Sequence, residues 1–188
     1  MAELVVVENV TLDGVMQGPG RADEDTRGGF TAGGWAVPYA DPVAMEQAGK
    51  AMTTSAALLL GRRTYLDLYG FWPAQTDGNP FTSVLNEAPK YVMSRTMAEL
   101  PWQNSARLSD LDEVAALKER LSGDLVVLGS GELVGSLGAL VDRYVLSIHP
   151  LALGTGRRLT LPAGAFELTG SVTTGTGVII ATYVRTTS

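Results

Sequence analysis

Apolar residues fall into short runs bounded by glycine, serine and proline, and those runs set the element pattern. Residues 4 to 10 are β-branched and apolar apart from Glu8 and Asn9, as in a buried strand. Leu58-Leu59-Leu60, Lys90 to Ser94 and Asp124 to Leu128 read as three more. Between them the spacing changes to that of helices. Asp41-Pro42 supplies an N-cap and a first-turn proline for a helix running to about Thr53. Thr64 to Tyr69 form a short helix, closed by Phe71-Trp72-Pro73 as core packing or a ligand wall. Asp77 to Pro80 make a turn, and a further short helix ends near Pro89. Ser109 starts a helix with Asp112 as its capping-box partner and a stripe of Leu111, Val114, Leu117 and Leu121. Another helix covers about Leu133 to Leu140, and Arg143 to Leu151 alternate as a strand. Residues 166–172 and 178–184, joined through Thr174 to Gly177, make a closing hairpin.

Strands alternating with helices predict an α/β fold with a mixed, mostly parallel sheet flanked by helices and an antiparallel C-terminal end. No repeat or linker divides residues 1–188, which suits one domain. Residues 17 to 34, rich in glycine and mixed charge, read as a mobile loop and candidate lid.

Composition narrows the chemistry. The absence of cysteine excludes disulfides, thiolate catalysis and Cys-ligated metal, and fits a cytoplasmic protein. One histidine argues against a His-rich metal site, so no metal is expected. A formal charge of −6 argues against general nucleic-acid binding. No apolar run is long enough to span a membrane, and the N-terminus carries no basic segment or cleavage signature.

Three buried strands release a Gly or Ser beside a cation or a helix start: Gly61-Arg62-Arg63-Thr64, Ser94-Arg95-Thr96 and Gly129-Ser130-Gly131. Ligands of open α/β sheets gather outside the strands' carboxyl ends. Together these ends suit an extended ligand with several phosphates, held by arginines and free helix N–H groups. A dinucleotide with an extra phosphate, NADPH rather than NADH, is the expectation. Gly129-x-Gly131 is not a Rossmann fingerprint. Position 134 is Val134, and the motif comes late in the chain. Glu8 and Asn9 either meet solvent at a strand end or face a ligand. Buried without partners, each would cost roughly 1–3 kcal/mol. His149 is read as a packed or edge residue, and Arg157 and Arg158 as binders of a substrate phosphate or as surface cover.

Thr11-Leu12-Asp13-Gly14-Val15-Met16, Leu60 to Tyr65, Tyr91 to Thr96, Leu128 to Leu133, and Leu140 to Tyr144 leading to Pro150 to Gly156 occur in order over almost the whole chain. In these motifs the sequence resembles the dihydrofolate reductase-like family, in the branch that includes the reductase domain of bacterial riboflavin biosynthesis. The resemblance implies a three-layer fold, an NADPH site and hydride transfer to a small nitrogen heterocycle or a ribosylaminopyrimidine, most like 5-amino-6-(5-phosphoribosylamino)uracil. It implies that Gly61, Arg62, Arg63 and Thr64 hold cofactor phosphates, and that Ser94, Arg95 and Thr96 face the adenosine 2′-phosphate. Leu128, Gly129, Ser130, Gly131, Glu132 and Leu133 would lie along the pyrophosphate and nicotinamide ribose. Glu8 and Asn9 would lie near the nicotinamide, with Asn9, Asp13 and Glu46 toward the substrate. It also implies a homodimer. The deaminase domain often found before the riboflavin reductase has no counterpart here. Dihydrofolate reductases use a carboxylic acid on their first helix; Glu46 falls near that spacing, with Asp41 as rival. A pterin reductase and a non-catalytic NADP-binding protein are the alternatives.

Overall fold

The computed structural model describes residues 2–76, 78 and 80–186, with the backbone alone at 51, 53 and 80. Asp77 and Asn79 of the expected turn lie outside the described residues. Eight strands form one sheet: β1 (Leu4–Thr11), β2 (Ser55–Gly61), β3 (Lys90–Met93), β4 (Ser105–Leu108), β5 (Asp124–Leu128), β6 (Arg143–His149), β7 (Phe166–Thr173) and β8 (Ile179–Arg185). Their order is β4-β3-β2-β5-β1-β6-β8-β7. The first six are parallel; β8 pairs antiparallel with β6, and β7 pairs antiparallel with β8. Among the described residues five α-helices flank it: α1 (Pro42–Thr53), α2 (Arg62–Phe71), α3 (Pro80–Glu87), α4 (Leu111–Arg120) and α5 (Gly131–Leu137). Among the described residues no helix is long and apolar enough to cross a membrane.

The apolar strand runs are buried on both sides, as a covered parallel sheet requires. Leu4, Val6, Leu59, Leu125 and Val127 pack on one face with Val114 and Leu117 of α4 and Leu133, Val134 and Leu137 of α5. Val5, Leu58, Leu60 and Val126 pack on the other with Tyr65 of α2, Leu85 of α3 and Trp102. Each such side chain contributes roughly 1.5–3 kcal/mol by leaving water.

Register sets up the cleft. Val6, Leu59 and Val127 lie in one row across β1, β2 and β5. Two residues further on, Glu8, Gly61 and Gly129 therefore leave the core at one level. Gly61 pairs with Met93 of β3, so Arg95 follows at the same end.

Several boundaries differ from the sequence reading. Helix α2 begins at Arg62, because the strand glycine Gly61 serves directly as its N-cap. Helix α4 is capped by Asp110, whose Oδ1 accepts from Glu113 N–H at 3.0 Å, while Glu113 Oε2 accepts from Ser109 N–H at 2.6 Å. The capping box is thus Asp110 with Glu113, one residue later than Ser109 with Asp112. Strand β4 escaped the reading because its four residues carry no apolar run. Strand β6 stops at His149, since Pro150 has no N–H for the ladder.

Candidate active site

A cleft of about 1230 Å³ opens at the carboxyl ends of β1, β2, β3 and β5. Its floor is Glu8 and Asn9; one wall is Gly61 to Thr64 with Arg95, and another is Leu128 to Leu133. The far side is the loop from Met16 to Arg27.

The first turn of α2 has no side-chain cap, so its free N–H groups face the cleft beside Arg62 and Arg63. The two strand ends are tied by Gly61 N–H, which donates to Ser130 Oγ at 3.0 Å. Gly129 (φ 60°) and Ser130 (φ 64°) are both left-handed. This is natural for the glycine and costly for serine, a pattern found where a backbone is shaped around a ligand. Among the described residues Arg62 and Arg95 have no ion pair, whereas Arg63 bonds Glu132 at 3.2 Å.

Glu132 joins three segments. Arg27 from the loop reaches its Oε1 at 3.0 Å, and Arg157 bonds the same oxygen. The loop is further held by Gln17, whose amide donates to Asp25 and Arg27 carbonyls at 3.1 and 3.0 Å and accepts from Arg157 N–H at 3.0 Å. Trp35 Nε1 donates to the Gln17 carbonyl at 2.7 Å, and Trp35 packs with Phe30 and Val15 in a small core of its own. Arg21 pairs with Asp67 of α2 and lies over Phe71. The expected lid is therefore an anchored wall with an internal core. Sequence reasoning missed Met16, Gln17, Arg21, Glu24, Arg27 and Asp67 as cleft-lining or loop-holding residues. The dense charges of residues 21–27 were the available signal.

At the floor, Glu8 is buried, and its Oε2 has no hydrogen-bond partner. Burial pushes its carboxyl up to about 8, against a weaker lowering by the Asn9 backbone and with the Glu24 charge adding to the rise. Asn9 Oδ1 lies 3.0 Å from His149 Nε2. His149 is buried edge-on to Trp35 and Tyr39, with ring centroids 5.1 and 5.5 Å away. Burial lowers its pKa, so the ring is neutral and its Nε2–H donates to Asn9.

Asp13, Glu46, Asp41, Ser94 and Thr96 do not line the cleft. Asp13 is committed elsewhere. Its carboxylate accepts from the Thr11 hydroxyl at 2.6 Å and from Leu153 and Gly154 N–H at 3.1 and 2.9 Å, and it pairs with Arg158. The Thr11 hydroxyl and these N–H groups hold its pKa well below the usual carboxylate range. It locks the turn after β1 onto the 151–158 loop, and Arg158 covers that junction. Glu46, with 63% of its side chain exposed, pairs with Lys50 one turn along α1 at 2.7 Å. It sits on the solvent face of that helix, outside the cleft. Asp41 is no substitute, since its Oδ1 caps α1 through Val43 N–H and its Oδ2 accepts from Gly175 N–H. Ser94 is buried and its hydroxyl accepts from Thr96 and Met97 N–H, so Ser94 and Thr96 shape the turn that presents Arg95.

The family model described as the RibD C-terminal domain matches residues 2–180. The chain belongs to this family. In Bacillus subtilis (strain 168), the uncharacterized protein YyaP is 35% identical over 111 residues, which span 54% of this chain and 57% of YyaP. A Shewanella sp. PV-4 protein with a provisional riboflavin-biosynthesis name superposes with a TM-score of 0.66 at 22% identity, over 100% of both chains. Dihydrofolate reductase from Enterococcus faecalis, solved with NADP(H) and RAB-propyl, superposes with a TM-score of 0.67 at 14% identity, over 98% of this chain and 97% of that one. These two likenesses confirm the dihydrofolate reductase-like fold expected from the sequence.

Proposed function

We propose that the protein is an NADPH-dependent reductase that transfers hydride to a small nitrogen heterocycle, most like a 5-amino-6-(5-phosphoribosylamino)uracil reductase of the cytoplasm. The observation that carries this is the free cationic wall: Arg62, Arg95 and an uncapped helix start, brought to one end of the sheet opposite the left-handed Gly129-Ser130 turn. These residues fit a dinucleotide bearing an extra phosphate. Arg62, Arg63, Thr64 and the α2 N–H groups would hold the phosphates. Arg95, presented by the Ser94 turn, would take the 2′-phosphate. Gly129 to Leu133 would run beside the pyrophosphate and ribose, with Glu8 and Asn9 at the nicotinamide end. When bound, NADPH supplies the hydride. The protein binds, orients and excludes water around it, and Asn9 is fixed for that task by His149.

A pterin substrate fits less well. The carboxylates of α1 and its cap, Glu46 and Asp41, are committed outside the cleft. A non-catalytic NADP-binding protein would share the cationic wall but consume no cofactor. Following NADPH absorbance with a panel of ribosylaminopyrimidines and pterins separates these readings. Oxidation with a pyrimidine supports the proposal. Oxidation with pterins alone, tight binding without oxidation, or no binding would each overturn it.

A further inference from the structure

One carboxyl group in the cleft is buried with one of its oxygens left without a partner. Glu8 is 4% exposed, lines the cleft, and leaves Oε2 without a hydrogen bond. It follows Val6 by two residues, so it projects on the face that Val6 and Val10 fill with apolar side chains packed with Leu133 of α5. A residue serving the core there would be apolar like its neighbours. An unpartnered buried polar atom instead costs roughly 1–3 kcal/mol. The register puts it level with Gly61 and Gly129, where the reacting end of a ligand lying along those turns would come to rest.

The charged groups on the surrounding elements do not neutralise it. Arg63 of α2 and Arg27 of the loop are engaged by Glu132 of α5, and Arg21 by Asp67. His149 of β6 bonds Asn9, whose side chain alternates to the opposite face of β1. Arg62 stands with the α2 N-terminus at the phosphate wall. Glu24 of the loop adds negative charge, and its own carboxyl is raised by burial. Arg95 lines the same cleft, but among the described residues no cation pairs with Glu8, and a carboxyl buried in this way keeps its proton.

Resting on the reductase reading above, the geometry points to Glu8 as the catalytic acid that protonates the nitrogen of a C=N hydride acceptor. The acceptor carbon takes the hydride supplied by NADPH, forming a C–H bond. The C=N π pair moves to nitrogen, which takes the proton as the Glu8 O–H bond breaks. The carboxylate left behind regains a proton from water, so the sum is one acceptor, one NADPH and one proton giving amine and NADP. A carboxylic acid titrating near neutral pH suits this task, because general acids work best when their pKa lies near the working pH.

Glu8→Gln keeps the size and polarity of the side chain and removes only the acid. Infrared spectra of the wild-type protein without ligand should contain a protonated-carboxyl C=O band at pH 7 that is lost above about pH 9. That band should be absent in E8Q, and its absence from the wild type overturns the inference. Affinity for NADPH should stay within about twofold of wild type, while kcat with a C=N acceptor falls about 100-fold or more and the alkaline limb of the wild-type pH profile disappears. An active wild-type enzyme whose kcat and alkaline limb survive E8Q refutes the role of Glu8 alone. Wild-type protein that binds NADPH and reduces no acceptor removes the reductase reading and this role together.

Discussion

Arg95 and Glu8 carry opposite obligations at the two ends of the cleft. Arg95 is unpaired among the described residues and stands where a phosphate would complete it. Charge-assisted contacts of this kind are worth roughly 1.5–3 kcal/mol. Arg95→Glu should therefore lower the preference for NADPH over NADH at least tenfold in binding titrations; an unchanged ratio would refute its assignment. Glu8 makes a stability prediction that needs no ligand. Its carboxyl titrates near 4.5 when free and near 8 in the folded protein. Between those values the folded state holds a proton that the unfolded chain has lost, so stability falls as pH rises through the window. This group alone removes about 1.4 kcal/mol per pH unit there. Denaturant unfolding of E8Q from pH 5 to 8 should show a flatter profile than wild type, and parallel profiles would contradict the buried acid. The role of Arg95 is the one the sequence resemblance implies, whereas an acid role for Glu8 could not be assigned from the sequence. Glu8 read equally as a strand end meeting solvent, and Glu46 looked better placed as an acid until α1 turned it outward to Lys50.

At the scale of elements, the strand ends were legible because each apolar run stops at a Gly or Ser beside a cation or a helix start. The loop before α1 was legible only as glycine and charge. What hid its form was long-range bonding: Gln17 to Arg157, Arg27 and Arg157 to Glu132, and Arg21 to Asp67 join residues 25 to 140 positions apart. Glu132 is the common anchor, yet its pairs are exposed, and exposed ion pairs contribute little. Glu132→Gln should cost under about 1 kcal/mol of global stability while speeding proteolysis between Arg21 and Arg27. Unchanged cleavage would show that Gln17 and the Trp35 core suffice to hold the wall. In the sheet itself, Leu59→Ala should cost about 2–5 kcal/mol in denaturant unfolding, since Leu59 is fully buried between β3 and β5. A loss below 1 kcal/mol would contradict its place in the core.

At the scale of the whole molecule, the order of motifs along the chain made the fold readable, and the family and fold comparisons bear that out. Assembly was not readable, because it depends on which surface stays uncovered. Strand β7 is the sheet's terminal strand, with Leu168 and Val172 exposed along it beside Ile179 and Val184 of β8. An open strand edge with apolar side chains is a ready surface for a second copy. The homodimer that the sequence resemblance implies would give a light-scattering mass near twice the chain's 19.8 kDa, and Leu168→Glu should halve it. A wild-type mass of one chain would contradict the dimer without touching the site. The reductase reading itself is tested most directly by isotope transfer. NADPH deuterated at both C4 positions, incubated with the protein and a ribosylaminopyrimidine acceptor, should yield a reduced product one deuterium heavier. Bound, unconsumed cofactor and an unlabelled acceptor would contradict it.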